Sequence, residues 1–287
     1  MKYLVIHFYC KSELPFLKLN YLEGNNYIDK FIFIEFNYTQ RGVLKDYIGL
    51  QNIFNIDEMK KILYFRADIK DEIKDASRDD NEAKKINKLH NEGLLRNYFT
   101  KLVDFNDDDI IIKADADEII YNNAYPQIFK MMETNDIILL KMYSLYYRLD
   151  YLSNQIWSST IATKYKYGKT LYDEINGEST HFPQWRKCKH ISKPEFITKF
   201  NCGAHFSWCM TIDELINKFN YQMWMRGMDF KNLSSVDILE SAVKNMKYIF
   251  KSKPNLKMRK IDILNNDKHL MPTSIYSILN MFDGLYN

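Results

Sequence analysis

Three acidic side chains crowd together in the stretch "DDDIIIKADADEII", which covers residues 107 to 120. Asp115, Asp117 and Glu118 follow an apolar run directly, with only Ala116 as a spacer. Carboxylates held this close repel one another unless a cation, a hydrogen-bond network or full solvation compensates their charge. The spacing therefore predicts a binding site at this point of the chain.

Several nucleotide- and metal-binding motifs fail at specific positions. No G-x-G-x-x-G occurs among the nine glycines, and in "TKYKYGKT" Thr163 stands where a phosphate loop needs its first glycine. An EF-hand loop requires glycine where the chain has Ile120. The D-x-D-x-[TV] phosphatase motif is a closer rival, but Ile119 replaces its Thr or Val. What remains is D-x-D after a buried strand, which is how nucleotide-sugar glycosyltransferases hold a divalent metal.

The elements around these acids follow an alternating pattern. Short apolar, β-branched and aromatic runs predict strands at "YLVIHFY", "FIFIEF", "ILYF", "IIIKA" and "IILLKMY". Helical spacing predicts helices at "ELPFLKLNYLEG", around residues 43–55 and at "NEGLLRNYFTKLVDF", whereas the highly charged residues 66–91 are typical of a solvated helix or loop. The alternation favours an α/β fold with a mostly parallel, Rossmann-like sheet and flanking helices.

A parallel sheet also predicts where the ligand binds. Ligands collect outside the carboxyl ends of parallel strands, where the chain leaves each strand for its helix. Asp115 and Asp117 end the strand "IIIKA", and Glu35 and Asn37 end the strand "FIFIEF". We therefore expect these four side chains at one edge of the sheet.

The composition indicates one globular domain outside the nucleic-acid-binding and membrane-spanning classes. The 40 basic and 37 acidic residues nearly balance, with no long run of one sign, so no nucleic-acid partner is expected. The amino terminus is typical of a strand and not of a signal peptide, and no apolar run is long enough to span a membrane. The cysteines form no C-x-x-C pair or zinc pattern, which favours reduced thiols and a cytoplasmic location; they are Cys10, Cys188, Cys202 and Cys209.

Blocks of sequence in a fixed order carry a resemblance to a known family. They include the strand end with Glu35, Asn37, Thr39, Gly42 and Lys45 in "EFNYTQRGVLK", then "RNYFTKLVDFNDDDIIIKADADEI", Trp157 and "NCGAHFSWC". In this order, over roughly four-fifths of the chain, the blocks resemble glycosyltransferase family 17. That family contains the β-1,4-mannosyl-glycoprotein N-acetylglucosaminyltransferase that adds bisecting GlcNAc.

The resemblance implies a GT-A-like fold and a transferase reaction. It implies a single domain over residues 1–287, in which residues 1–120 bind the nucleotide-sugar donor and residues 121–287 form the acceptor side. The expected reaction moves a sugar, GlcNAc by analogy, from a UDP-sugar to a glycan or another hydroxyl acceptor with inversion. A Mn²⁺ or Mg²⁺ ion would neutralise the leaving diphosphate.

The resemblance also suggests roles for individual residues. Asp117 would contact the metal directly, Asp115 would contact the donor ribose or a metal-bound water, and Glu118 would orient the pair or the sugar. His205 is a candidate third metal ligand, against the ordinary alternative of a histidine packed in the core. The other candidates face the donor: Glu35 as acceptor of a uracil imide hydrogen, Arg96 as a phosphate contact, and Asn37, Thr39 and Lys45 as further contacts.

Departures from the family keep other functions open. Ala204 replaces the family's Trp before H-F-S, and Tyr221 and Met223 replace the His and Glu of its H-Q-E-F block. A protein that binds a nucleotide sugar without turnover therefore stays an alternative, and a D-x-D phosphohydrolase is a second one. The general base is not identified by the sequence, although three acids lie in a suitable part of the chain: Asp150, Glu174 and Glu178.

Overall fold

One mixed sheet forms the centre of the molecule. The computed structural model describes residues 1–50, 53–76, 82–168, 198–221, 236–247 and 255–286. In these ranges the sheet has nine strands: β1 (Lys2–Phe8), β2 (Lys30–Phe36), β3 (Ile62–Ala67), β4 (Ile110–Asp115), β5 (Glu118–Ile120), β6 (Ile137–Tyr146), β7 (Tyr151–Lys164), β8 (Gly203–Ser207) and β9 (Met258–Lys260).

Helices of very different length surround this sheet. The α-helices whose two ends are described are α1 (Leu14–Gly24), α2 (Ile56–Met59), α3 (Glu82–Asn97), α4 (Tyr125–Met132), α5 (Ile212–Tyr221) and α6 (Val236–Lys244). Short 3-10 helices lie at Lys11–Glu13, Tyr98–Lys101, Asn122–Ala124, Lys268–Leu270, Thr273–Ser277 and Leu279–Phe282. In the part of the chain that the structure describes, no helix has both the length and the apolar character needed to cross a bilayer.

The first four strands are parallel, in the spatial order β3-β2-β1-β4. Their side chains are buried on both faces: in β1, Leu4 and Ile6 belong to one hydrophobic core, and Tyr3 and Val5 belong to the other. Parallel strands covered on both faces have uninterrupted apolar runs. The predicted strands and the α/β class are confirmed, and residues 115–117 lie where β4 ends.

The other half of the sheet is mixed, which corrects the expectation of a mostly parallel sheet. Strands β7, β6, β8 and β5 extend the sheet beyond β4, and only β6 and β8 among them pair in parallel. Strands β6 and β7 are antiparallel because only residues 147–150 connect them. A connection this short can join antiparallel strands but not parallel ones. Tyr147 has φ 67° at this reversal, in a region that bulky residues rarely adopt.

The helix predicted around residues 43–55 is wrong. Residues 43–50 form an extended loop, and regular helix begins only with α2, which Asn55 caps by accepting from two backbone N–H groups. Gly42 has φ 75°, and a Cβ there would lie 2.5 Å from the Lys74 carbonyl oxygen. A turn that only glycine can make therefore redirects the chain before a helix could begin.

The other two predicted helices are present as α1 and α3, although the helix predicted at residues 91–105 ends at Asn97 and only a 3-10 turn follows at Tyr98–Lys101. Pro15 lies in the first turn of α1, where a missing backbone N–H costs no hydrogen bond. Helix α3 begins earlier than predicted, because the second part of the charged stretch contributes its first turns. Arg96 lies in the last turn of α3, at the edge of the sheet where β4 ends.

Strands β5 and β8 approach each other unusually closely. In the register of this antiparallel pair Gly203 faces Ile120, and Glu118 faces His205. A Cβ at Gly203 would lie 2.0 Å from the Ile119 carbonyl oxygen, so no larger residue fits. The missing side chain allows β8 to bring His205 beside the acidic stretch.

Residues 255–286 pack back against the first half of the chain. Glu23, fully buried in α1, accepts hydrogen bonds from the backbone N–H groups of Asn122 and Ser274, both at 2.6 Å. The Thr273 hydroxyl donates to the same carboxylate at 3.2 Å. Buried carboxylates are stable when donors surround them in this way. Glu23 therefore links α1 to the last described segment.

Candidate active site

The carboxyl ends of β1, β2 and β4 bring the predicted residues to one edge of the sheet. In the parallel register His7 of β1 faces Asp115 of β4, and Phe8 faces Glu35 of β2. Asp117 follows β4 after one residue and precedes β5. The strand register therefore places these side chains at one edge of the sheet, where they were expected.

Asp115 is held by a cation of the chain. Both terminal nitrogens of Arg96 donate to the Asp115 carboxylate, Nη1 to Oδ1 at 2.7 Å and Nη2 to Oδ2 at 3.4 Å. Glu92, one turn earlier in α3, accepts from Arg96 Nε at 3.2 Å. Burial opposes the charge of Arg96, but Asp115 and Glu92 outweigh it and raise the pKa of the guanidinium. Arg96 was predicted to contact a phosphate; here it orients Asp115.

A buried lysine also lies close to this site. Lys113 Nζ donates to His7 Nδ1 at 2.9 Å, although both side chains are inside the sheet. The other ring nitrogen of His7, Nε2, lies 4.0 Å from Asp115 Oδ1. The sequence analysis missed both residues, although a Lys inside the apolar run "IIIKA" was a signal that could have identified Lys113.

Asp117 is held by a residue from the second half of the chain. Lys218 of α5 donates to Asp117 Oδ2 at 3.3 Å, and His205 Nε2 lies 3.8 Å from the other oxygen, Oδ1. Lys218 Nζ also lies 3.3 Å from Glu13 Oε1. Burial opposes the charge of Lys218, but the two carboxylates prevail and raise its pKa, so it stays an ammonium ion. The three side chains form one buried ionic cluster.

Glu118 is fully buried and anchors the acidic stretch. Its carboxylate accepts from Trp157 Nε1 at 2.7 Å, from the Thr160 hydroxyl at 2.8 Å and from the backbone N–H of Asp115 at 2.9 Å. The Trp157 ring stacks on the His205 imidazole with centroids 4.1 Å apart. Of the two roles predicted for Glu118, these contacts favour orienting the acid pair over touching a sugar.

Comparisons with known proteins give the family of this chain and one similar solved structure. The sequence profile described as Glycosyltransferase family 17 matches residues 5–256, which covers every site residue above. The chain belongs to glycosyltransferase family 17. The solved structure of residues 1–349 of S. aureus TarS is similar over 89% of this chain and 74% of that one, at 12% identity and a TM-score of 0.39. No curated protein sequence matches the chain.

Glu35 lies at the same edge of this family 17 chain, but donors of the chain surround its carboxylate. Its oxygens accept from the backbone N–H of Gly49 at 2.9 Å and from that of Ile48, and from the Tyr64 hydroxyl at 2.5 Å. Lys45 Nζ lies at 3.4 Å. Burial and then the bond to Glu35 raise the pKa of Tyr64 to about 12, so it donates as a phenol. These contacts stabilise the loop of residues 43–50, and they occupy the carboxylate oxygens that a uracil would need as acceptors.

The two remaining donor-side candidates stabilise turns in the same region. Asn37 Nδ2 donates to Asp68 Oδ1 at 2.8 Å, which ties the end of β2 to the end of β3. The Thr39 hydroxyl accepts from the backbone N–H groups of Arg41 and Val43, both at 3.2 Å. Their roles toward a donor stay predictions.

The candidates for the general base are only partly described. Asp150 is fully buried and bonded to Arg148 Nε at 2.9 Å, so its charge is already compensated. Glu174 and Glu178 lie outside the described residues, as does Met223. Tyr221 is the last residue of α5.

The chain's own groups thus compensate part of the crowded charge. Arg96 pairs with Asp115 and Glu92, and Lys218 pairs with Asp117 and Glu13. No three His, Cys, Asp or Glu side chains of the described ranges are close enough to hold a metal alone. Asp117 Oδ1 and His205 Nε2 nevertheless face each other, and an oxygen and an imidazole nitrogen suit Mn²⁺.

Proposed function

We propose that this family 17 member transfers a sugar, in the simplest case GlcNAc, from a UDP-sugar to a hydroxyl of a glycan or another acceptor, with inversion. The observation that supports the proposal best is the D-x-D stretch at the carboxyl edge of the parallel strands, in a chain of this family. Ligands of such sheets bind at that edge.

We further propose that the reaction requires Mn²⁺ or Mg²⁺, held by Asp117 and His205 with Asp115 nearby. A divalent cation supplies charge neutralisation for the diphosphate leaving group. Because the described residues offer few ligands at this point, the donor's phosphate oxygens and water would complete the coordination, so metal and donor should bind together.

The chain's own residues then orient the donor. Asp115 is the most exposed of the three acids, with 25% of its side chain accessible, and Arg96 fixes its plane through two hydrogen bonds. It is therefore the acid that we assign to the donor ribose or to a water molecule. Glu118 is buried below it and keeps the backbone of Asp115 in place.

A thermal-shift screen tests the proposal. UDP-GlcNAc and other UDP-sugars should raise the melting temperature by several degrees when Mn²⁺ or Mg²⁺ is present and not otherwise. Ligand at a hundred times its Kd contributes about 2.7 kcal/mol, which is a shift of that size in a chain of this length. A complete screen of nucleotide sugars without any metal-dependent shift would contradict the transferase proposal.

Turnover separates the transferase from its alternatives. A transferase should hydrolyse a bound UDP-sugar slowly and leave p-nitrophenyl phosphate intact, whereas a D-x-D phosphohydrolase needs a free aspartate nucleophile and cleaves the monoester. Membership of family 17 and the Arg96 clamp on Asp115 favour the transferase. Metal-dependent binding of a UDP-sugar without hydrolysis or transfer would instead identify a binding protein, to which the departures at Tyr221 and Met223 would contribute.

A further inference from the structure

Lys218 is a buried cation to which the proposed reaction assigns no role. It lies in α5, one turn after the fully buried Leu215, and only 5% of its side chain is accessible. Its ammonium group is 3.3 Å from Asp117 Oδ2 and 3.3 Å from Glu13 Oε1. A lysine is rarely buried unless carboxylates compensate its charge, and here one of the two belongs to the D-x-D stretch.

Glu13 fixes the other side of this cluster. Its second oxygen, Oε2, accepts from the backbone N–H groups of Tyr9 at 2.6 Å and Cys10 at 3.2 Å, where the chain leaves β1. Lys218 therefore links three segments that surround the site: the turn after β1, the D-x-D stretch and α5. The position of the ammonium group is set from two directions.

The two oxygens of Asp117 face different partners. Oδ2 bonds Lys218, and Oδ1 lies 3.8 Å from His205 Nε2. Any divalent cation bound at Oδ1 thus shares one carboxylate with an ammonium ion. In a poorly hydrated site, repulsion between these cations is strong, whereas the same ammonium ion attracts the phosphates of a nucleotide.

We propose that Lys218 sets the charge of the donor site so that it binds a divalent cation weakly alone and firmly together with a nucleoside diphosphate. This inference rests on the proposed function, because it assumes that the cation binds at Asp117. Lys218 acts through Asp117 and through its charge without touching the donor, so it is a positioning residue.

Two substitutions with opposite expected effects test this role. Lys218→Met removes the positive charge, so MnCl2 alone should bind about tenfold more tightly, while UDP at saturating Mn²⁺ should bind about tenfold more weakly. Glu13→Gln removes a negative charge beside the same ammonium group, so MnCl2 alone should bind several-fold more weakly. Lys218→Arg should restore values near wild type. Calorimetric titration, with the electron paramagnetic resonance signal of free Mn²⁺, measures these affinities.

Controls distinguish charge from mere packing. Lys18→Met removes another ion-paired lysine, which bonds Glu58 at 2.6 Å and none of the site residues, and should leave both affinities unchanged. The proposal is overturned if Lys218→Met and Glu13→Gln shift the Mn²⁺ affinity in the same direction, in step with lost stability. Should Lys218→Met not fold, an unchanged Mn²⁺ affinity in Glu13→Gln overturns it. Wild-type protein that binds neither MnCl2 nor UDP with Mn²⁺ would refute the proposed function itself.

Discussion

The carboxylate of Asp117 accepts a hydrogen bond from Lys218, which determines the effect of removing its charge. The sequence alone suggests that Asp117→Asn relieves repulsion and stabilises the metal-free protein. Because buried Lys218 donates to this carboxylate, we expect instead a loss of about 1–3 kcal/mol in the free energy of unfolding. Metal-dependent binding of UDP should disappear as well. Urea unfolding and thermal shifts with UDP and Mn²⁺ measure the two effects.

Asp150→Asn is the matched control for that substitution. Asp150 is also a buried, ion-paired acid, bonded to Arg148, so its loss should destabilise the fold by a similar amount. It should retain the metal-dependent shift, because Asp150 belongs to another ion pair. Metal-dependent UDP binding that survives in Asp117→Asn would show that the acid pair has a structural role only.

The strand-end rule located the acids, whereas their partners came from distant parts of the chain. Asp115 and Asp117 could be assigned to the sheet edge because both follow a recognisable strand. Lys218 stands 101 positions after Asp117, and no local pattern relates the two. Its one signal is its place on the apolar side of α5, beside Leu215, where a lone lysine must find a carboxylate.

At the scale of elements, the loop of residues 43–50 depends on the buried carboxylate of Glu35. Glu35→Gln replaces an acceptor-only group by one that also donates, so the backbone N–H of Ile48 or Gly49 loses its partner. We expect a loss of about 1–3 kcal/mol in the free energy of unfolding, measured in urea. Preference for UDP over other nucleoside diphosphates should not change. A relaxed nucleotide preference at unchanged stability would instead support the uracil contact predicted from sequence.

The close pairing of β5 with β8 allows a second test. Gly203→Ala would place a methyl group 2.0 Å from the Ile119 carbonyl oxygen, so the strands must separate. We expect a loss of about 3 kcal/mol or more in urea unfolding, because backbone atoms cannot move aside as a side chain can. Gly284→Ala is the control: nothing lies within 4 Å, and only its φ of 76° opposes the change, at about 1–2 kcal/mol. Equal losses in both variants would refute the steric argument.

An element can be predicted from the sequence when one local pattern of side chains dominates it. The buried parallel strands have such a pattern, because apolar side chains cover both of their faces. The loop after β2 lacks such a signal, because its apolar residues have helical spacing without forming a helix. Gly42 turns the chain there, and the carboxylate of Glu35 accepts hydrogen bonds from backbone N–H groups that a helix would use. The long strand β7 was missed because polar residues interrupt its apolar pattern.

At the scale of the whole molecule, residues 257–286 lie beyond the family match and still complete the fold. Glu23→Gln should cost about 2–3 kcal/mol, because the buried amide cannot accept from Asn122, Thr273 and Ser274 together. Limited proteolysis should then cut this segment faster. Asp57→Asn, at a 79% exposed acid, is the control and should change stability by less than about 0.5 kcal/mol. Unchanged proteolysis in Glu23→Gln would show that packing alone holds the segment.

The bond between Glu23 and Ser274 joins residues 251 positions apart, which has a consequence for the order of folding events. Closing so long a loop costs conformational entropy, and no contacts offset this cost until the sheet between the two ends has formed. The carboxylate of Glu23 therefore stays hydrated through the early steps, and the apolar side of α1 stays uncovered. We expect slow refolding through an intermediate prone to aggregation, and the arrival of Ser274 marks its end.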